Sequence, residues 1–184
     1  PILRALAKNK PIGMIQFDSH SDTWDNYFGG FKYTHGTPFR RAIEENLLDP
    51  KKYVILGLRG GLYDPDDLKW AIDQGITIIS TDRFYEIGMN ETIKIIRDVL
   101  GDIPTYFTFD IDGIDPTFAP GTGTPEVGGI NVREAQLIIR QLNSLNLIGA
   151  DVVEVSPPFD VNNMTSLVGA TIAFEILCAM TKTN

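Results

Sequence analysis

Two short apolar runs in this chain end in acidic residues spaced two positions apart. The run IGMIQF is followed by Asp18, His20 and Asp22, and the run TYFTF by Asp110 and Asp112. Side chains two apart point to the same face of an extended chain, so each group converges on one side. Carboxylates held this close repel one another, and burial makes their charge costly. A divalent cation shared by both groups would compensate that charge; for the first group, an Asx-rich turn that caps a helix is the alternative.

The five candidate ligands are four carboxylates and one imidazole. Such an oxygen-rich set favours Mn²⁺ or Mg²⁺ over zinc, whose structural sites prefer cysteine and histidine. A carboxylate from each group can bridge two ions about 3.5–4 Å apart, and such a pair lowers the pKa of water to near neutrality. The pattern therefore predicts hydrolytic chemistry. Asp115, which precedes Pro116, instead predicts a turn cap.

The elements that must position these residues alternate along the chain. We predict strands over 12–17, 53–58, 76–79, 105–109 and 148–153, and helices over 37–46, 65–74, 90–100, 132–145 and 165–180. Short, nearly uniformly apolar strands that alternate with helices are typical of a parallel sheet buried on both faces. We expect an α/β fold of three layers (αβα) with a doubly wound, mostly parallel sheet, in one catalytic domain over 1–184. The long loops 19–36 and 112–131 each follow a strand, where open α/β sheets bind ligands.

Composition restricts the partners. The net charge of −8 argues against an extended surface for nucleic acid or anionic membranes, and no apolar run reaches the ~20 residues of a membrane span. The one cysteine, Cys178, cannot form an internal disulfide, so we expect a reducing, cytoplasmic setting. We expect Cys178 itself to be a small buried apolar residue.

Four motifs resemble those of the ureohydrolase family, which includes arginase, agmatinase, guanidinobutyrase and guanidinopropionase. They are FDSHSD at 17–22, THGTPFRRA at 34–42, FDIDGIDPTFAPGTGTPEVGG at 109–129 and GADVVEVSPPFD at 149–160. The resemblance implies an arginase-like αβα fold and two Mn²⁺ ions per subunit. It also implies hydrolysis of a guanidinium group to urea and an amine, in a homo-oligomer that is a trimer or a hexamer.

The same resemblance assigns the ligands. Asp18 and Asp110 would bridge the two metals, Asp22 would complete one metal's set, and His20 and Asp112 the other's. The family also takes a histidine from an upstream GGDHS-like motif, which this sequence lacks. We therefore expect the chain to be the carboxy-terminal part of a ureohydrolase domain; the alternative is a catalytically impaired, metal-binding relative.

The resemblance also assigns substrate contacts. His35 would carry a proton near the metals, and Glu154 would hold the guanidinium through a planar, two-pronged contact. Trp24 stands where arginase carries an asparagine, so arginine is disfavoured. Trp24 and Tyr27 would wall a slot for a short aliphatic chain, which leaves 4-guanidinobutanoate, 3-guanidinopropanoate or agmatine as substrate. A deacetylase-like hydrolase with a single zinc on the same fold is a further alternative.

Overall fold

Five strands form one parallel sheet in the computed structural model, which describes residues 1–181. The strands are β1 (Ile12–Phe17), β2 (Leu48–Leu58), β3 (Thr77–Ser80), β4 (Thr105–Asp110) and β5 (Leu147–Val153). Their order is β3-β2-β1-β4-β5, and every neighbouring pair is parallel. The predicted doubly wound sheet is thereby confirmed.

Six α-helices accompany the sheet. They are α1 (Ile2–Leu6), α2 (Pro38–Glu44), α3 (Lys69–Gln74), α4 (Thr81–Leu100), α5 (Val132–Gln141) and α6 (Met164–Met180). Short 3-10 helices cover Ile111–Gly113, Leu142–Ser144 and Pro157–Phe159. Helix α1 was not predicted, and α4 begins nine residues before the predicted start. The Ser80 hydroxyl caps α4 by accepting a hydrogen bond from the Arg83 N–H, and Gly88, whose backbone is not helical (φ 79), kinks α4 between two helical stretches.

The helices cover both faces of the sheet. On one face, strand residues such as Phe17, Phe107 and Phe109 pack with α4, α5 and α6. On the other face, Met14 and Tyr53 pack with α1, α2 and α3. This arrangement confirms the predicted three-layer αβα architecture.

The strand order reverses between β1 and β4. The chain leaves β1 toward β2 on one side, and leaves β4 toward β5 on the other. A crevice opens at such a point outside the carboxyl ends of the strands. Phe17 is paired with Phe109 across β1 and β4, so the next residues, Asp18 and Asp110, are neighbours at this crevice.

The prediction that Cys178 is buried is wrong, because this residue is exposed on α6. The helix is apolar on nearly every side, so its sequence does not identify the face that meets the sheet. Ile172 and Ile176 face the core, whereas Phe174 and Leu177 are exposed. No helix within residues 1–181 is long and apolar enough to cross a bilayer.

Candidate metal centre

The first acidic group is shaped by a turn that follows β1. The strand ends at Phe17 and does not continue to residue 22, as simple alternation of side chains would require. The Asp18 carboxylate accepts a hydrogen bond of 2.6 Å from the backbone N–H of His20, which turns the chain at once. Asp22 then adopts a left-handed conformation (φ 53), so convergence of the group comes from loop curvature.

Three of the five predicted ligands come together. One donor atom from each of Asp18, His20 and Asp112 lies within 4.8 Å of the others. The Nδ1 atom of His20 is 3.0 Å from Asp112 Oδ2 and 3.5 Å from Asp18 Oδ1. Asp110 and Asp22 lie outside this three-residue cluster, although both line the cleft above it.

Hydrogen bonds from two loops fix the Asp112 carboxylate. Its Oδ1 accepts from the backbone N–H of Ser19 at 3.0 Å and from the Ser19 hydroxyl at 2.7 Å. Its Oδ2 accepts from the Thr124 hydroxyl at 3.2 Å. The Asp110 carboxylate in turn accepts a hydrogen bond of 2.9 Å from the backbone N–H of Asp112. The ends of β1 and β4 are therefore connected through the acidic side chains themselves.

The electrostatics of this cluster favour a cation. Burial raises the pKa of Asp18 to about 6, and burial followed by the charge of Asp18 raises the pKa of Asp22 and of Asp110 well above the usual range. Burial lowers the pKa of His20, but its contacts with Asp112 and Asp18 outweigh that effect and raise it to about 10. One imidazole thus faces four carboxyl groups, and burial disfavours the ionised form of three of them. Added positive charge is therefore what the site lacks, and its oxygen-rich donor set fits a divalent cation.

The remaining predicted residues surround a cleft of about 590 Å³ above the acidic groups. The Trp24 and Tyr27 rings stack with centroids 5.1 Å apart, and Tyr27 meets the edge of His35 at 5.3 Å. His35 and Glu154 are exposed on the rim. Glu154 directly follows β5 in a left-handed conformation (φ 63), which is uncommon for a residue with a side chain and tends to mark functional sites.

The sequence did not predict Tyr63, which also lines the cleft. Its hydroxyl is 2.7 Å from the Tyr27 hydroxyl and joins the loop after β2 to the loop after β1. Nothing in the local sequence marks this contact, because it depends on how two separate loops meet.

Arg59 is a second residue that sequence reasoning missed. Its half-buried guanidinium donates to the backbone carbonyls of Gly57 (3.0 Å), Asp112 (2.8 Å) and Glu126 (2.7 Å). It thereby joins the end of β2 to two distant points of the loop 112–131 that follows β4. A Cβ atom at Gly129 would lie 2.5 Å from Arg59 Nη2, so the glycine makes this close packing possible.

Asp115 acts as the turn cap that the sequence predicted. Its carboxylate accepts from the backbone N–H groups of Thr117 (2.9 Å), Gly128 (2.7 Å) and Gly129 (3.0 Å). These bonds account for its charge without a metal.

A doubly wound parallel sheet with carboxylates gathered at its switch point defines an α/β protein with a candidate divalent-metal centre. The chain belongs to the arginase family, whose model matches residues 1–179.

Individual relatives agree with this assignment. The chain is 57% identical to a guanidinopropionase of Pseudomonas aeruginosa over 98% of its own length and 57% of that protein. It is 45% identical to a guanidinobutyrase of the same organism, over 98% of the chain and 56% of that protein. The solved structure of proclavaminate amidino hydrolase from Streptomyces clavuligerus superimposes with a TM-score of 0.91 at 40% identity, over 100% of this chain and 60% of that one. The chain thus spans little more than half the length of the curated relatives it matches.

Replacement of one carboxylate tests whether the cluster is built for a cation. Asp110→Asn keeps the shape of the side chain and removes a buried negative charge. We expect the metal-free protein to become more stable by roughly 1–3 kcal/mol at pH 7.5, because the substitution removes a buried negative charge that no cation offsets. Added Mn²⁺ should stabilise this variant much less than the unmodified protein.

Urea unfolding with and without Mn²⁺ measures both effects. The matched control is Asp98→Asn, an exposed position on α4, which should change stability by no more than about 0.5 kcal/mol. If Asp110→Asn destabilised the metal-free protein, repulsion among the carboxylates would not be the dominant feature of the site.

A second substitution tests the role of Arg59. Arg59→Met removes the guanidinium, which takes one donor from the carbonyls of Gly57, Asp112 and Glu126. We expect a loss of about 2 kcal/mol or more in the free energy of unfolding, because hydrogen bonds from charged donors are stronger than neutral ones. Arg83→Met is the control, since Arg83 forms an exposed ion pair with Glu86. Equal losses in the two variants would contradict the proposed connecting role.

Proposed function

We propose that the protein containing this chain is a binuclear manganese hydrolase of small linear guanidino compounds. It would add water to the guanidinium group of 3-guanidinopropanoate, 4-guanidinobutanoate or agmatine. The carbon–nitrogen bond to the chain nitrogen breaks, and the products are urea and a protonated amine. A cytoplasmic location and a homo-oligomer, trimeric or hexameric, are parts of the same proposal.

One observation carries this proposal: the acidic strand ends and Glu154 share a single cleft. Asp22, Asp110, Asp112 and His20 line its floor, and Glu154 stands on its rim. A cationic planar group fits a space bordered by carboxylates, and a guanidinium matches a carboxylate with two parallel N–H donors. The names of the relatives, guanidinopropionase and guanidinobutyrase, support the same class of substrate.

The residues that would hold two Mn²⁺ ions are Asp18, His20, Asp22, Asp110 and Asp112. When bound, the ions supply Lewis acidity and lower the pKa of water to near neutrality. His20 must lose its proton to act as a ligand, so metal binding would compete with the proton that Asp18 and Asp112 now favour.

The chain's own side chains would bind and orient the substrate. Glu154 accepts N–H groups of the guanidinium and holds its carbon over the acidic floor. The stacked rings of Trp24 and Tyr27 form an apolar wall for two or three methylene groups. His35, at the edge of Tyr27, can give a proton to the nitrogen of the departing amine.

The distal end of the substrate separates the candidates. The acidic residues around the cleft, which include Glu126, favour the terminal amine of agmatine. The Tyr27 and Tyr63 hydroxyls bond to each other, which leaves one O–H donor for the carboxylate of a guanidino acid, and the names of the relatives support such a substrate. Trp24 stands where the resemblance places an asparagine of arginase, and this difference supports a preference for substrates other than arginine.

The direct experiment is a urea-release assay on the protein at its full natural length, loaded with Mn²⁺. The four substrates are 3-guanidinopropanoate, 4-guanidinobutanoate, agmatine and arginine. We expect release of urea from at least one of the first three and much less from arginine. No urea from any of them would contradict the proposed activity and favour a non-catalytic metal-binding relative. One zinc per chain in place of manganese would favour the deacetylase-like alternative.

Glu154→Gln tests the guanidinium contact. The substitution keeps the size of the side chain and removes its charge, so we expect kcat/KM to fall about 10–150-fold, the equivalent of 1.5–3 kcal/mol for a charge-assisted hydrogen bond. Glu91→Gln, at an exposed position on α4, is the control and should leave the kinetics unchanged. A variant at position 154 with unaltered kcat/KM would place the guanidinium elsewhere.

A further inference from the structure

A polar side chain lies in the core directly beneath the acidic cluster. Gln16 has no exposed surface, and its neighbour on the next strand, Tyr53, has none either. Met14, Gln16 and Asp18 alternate along one face of β1 and its continuation, and Tyr53 lies opposite Met14 on β2. Gln16 therefore stands between a buried tyrosine and a predicted metal ligand.

Hydrogen bonds engage both ends of the Gln16 amide. Its Nε2 donates to Asp18 Oδ2 at 2.6 Å and to the backbone carbonyl of His20 at 3.3 Å. Its Oε1 accepts from the Tyr53 hydroxyl. An ionised carboxylate can only accept, so the amide must present its nitrogen to Asp18 and its oxygen to Tyr53. Tyr53 must then donate, which gives the chain of bonds one direction.

The Asp18 carboxylate is consequently held at both oxygens. Oδ1 accepts from the backbone N–H of His20 at 2.6 Å, and Oδ2 accepts from Gln16. A carboxylate has about four lone-pair sites, so each oxygen keeps one for another partner. Metal-ligating carboxylates are typically hydrogen-bonded in this way, and loss of the partner typically weakens metal affinity about 10–100-fold.

We infer that Gln16 and Tyr53 are positioning residues that hold the Asp18 carboxylate ready to bind a divalent cation. The inference rests on the proposed function, because it takes Asp18 as a metal ligand. Tyr53 acts through Gln16: its hydroxyl fixes which end of the amide faces Asp18. The competing role is purely structural, in which the bonds only satisfy polar groups in the core.

Metal affinity separates the two roles. The probe is Mn²⁺ alone, titrated calorimetrically into the metal-free protein at its full natural length. We expect Tyr53→Phe to weaken Mn²⁺ binding about tenfold and Gln16→Met by 10–100-fold. The double variant should match Gln16→Met, since Tyr53 has no route to Asp18 without the amide.

Tyr106→Phe is a matched control from the same face of the sheet. Tyr106 is also buried, but its hydroxyl donates to Asp151 at 2.7 Å and does not contact the cluster. It should lose stability as Tyr53→Phe does while binding Mn²⁺ within about twofold of the unmodified protein. Wild-type Mn²⁺ affinity in Tyr53→Phe and Gln16→Met, or additive losses in the double variant, would overturn the inference.

Stabilisation by Mn²⁺ provides a second measurement for variants that are too unstable for calorimetry. Where a variant is marginally stable, the increase in its unfolding free energy at saturating Mn²⁺ replaces calorimetry, because each variant is then compared with its own metal-free form. A smaller increase for Tyr53→Phe than for Tyr106→Phe supports the inference, and equal increases reject it. Absence of Mn²⁺ binding by the unmodified protein would instead reject the proposed function.

Discussion

The repulsion between carboxylates at the reversal of the strand order is the constraint on which the rest of this structure depends. The parallel register pairs Phe17 with Phe109, so Asp18 and Asp110 must emerge side by side. Burial raises the pKa of both groups, so this position in the fold disfavours their ionised forms. The strand order brings these acidic groups together in a buried place, where a bound cation would offset their negative charge.

Much of the surrounding structure can be understood as support for that arrangement. Arg59 connects the end of β2 with the loop 112–131 beside the cluster, and contacts with Asp112 and Asp18 raise the pKa of His20. Gln16 and Tyr53 reach the same cluster from the core. The floor of the cleft thus rests on strands and on hydrogen bonds, whereas its walls come from loops. Such a division places the acidic residues on rigid elements and leaves the cleft walls to loops, where binding residues are often found.

The sequence predicted features that depend on a local pattern of residue types. Apolar runs located all five strands within a few residues, and paired aspartates at two strand ends identified the acidic cluster before the sheet was known. It was uninformative where a contact depends on tertiary geometry. Arg59 binds carbonyl oxygens, which every residue carries, and Tyr63 meets Tyr27 across two loops. Cys178 was wrongly predicted to be buried. Helix α6 is apolar on nearly all sides, so its sequence does not indicate which face packs against the sheet.

We propose that two metal ions bind over the ends of β1 and β4. Anomalous diffraction at the manganese edge, from crystals of the natural full-length protein grown with Mn²⁺, tests this proposal directly. We expect two anomalous peaks in the cleft, both within ligand distance of the Asp18 and Asp110 carboxylates. An empty cleft at saturating Mn²⁺, or a single ion bound by Asp18, His20 and Asp112 alone, would contradict it.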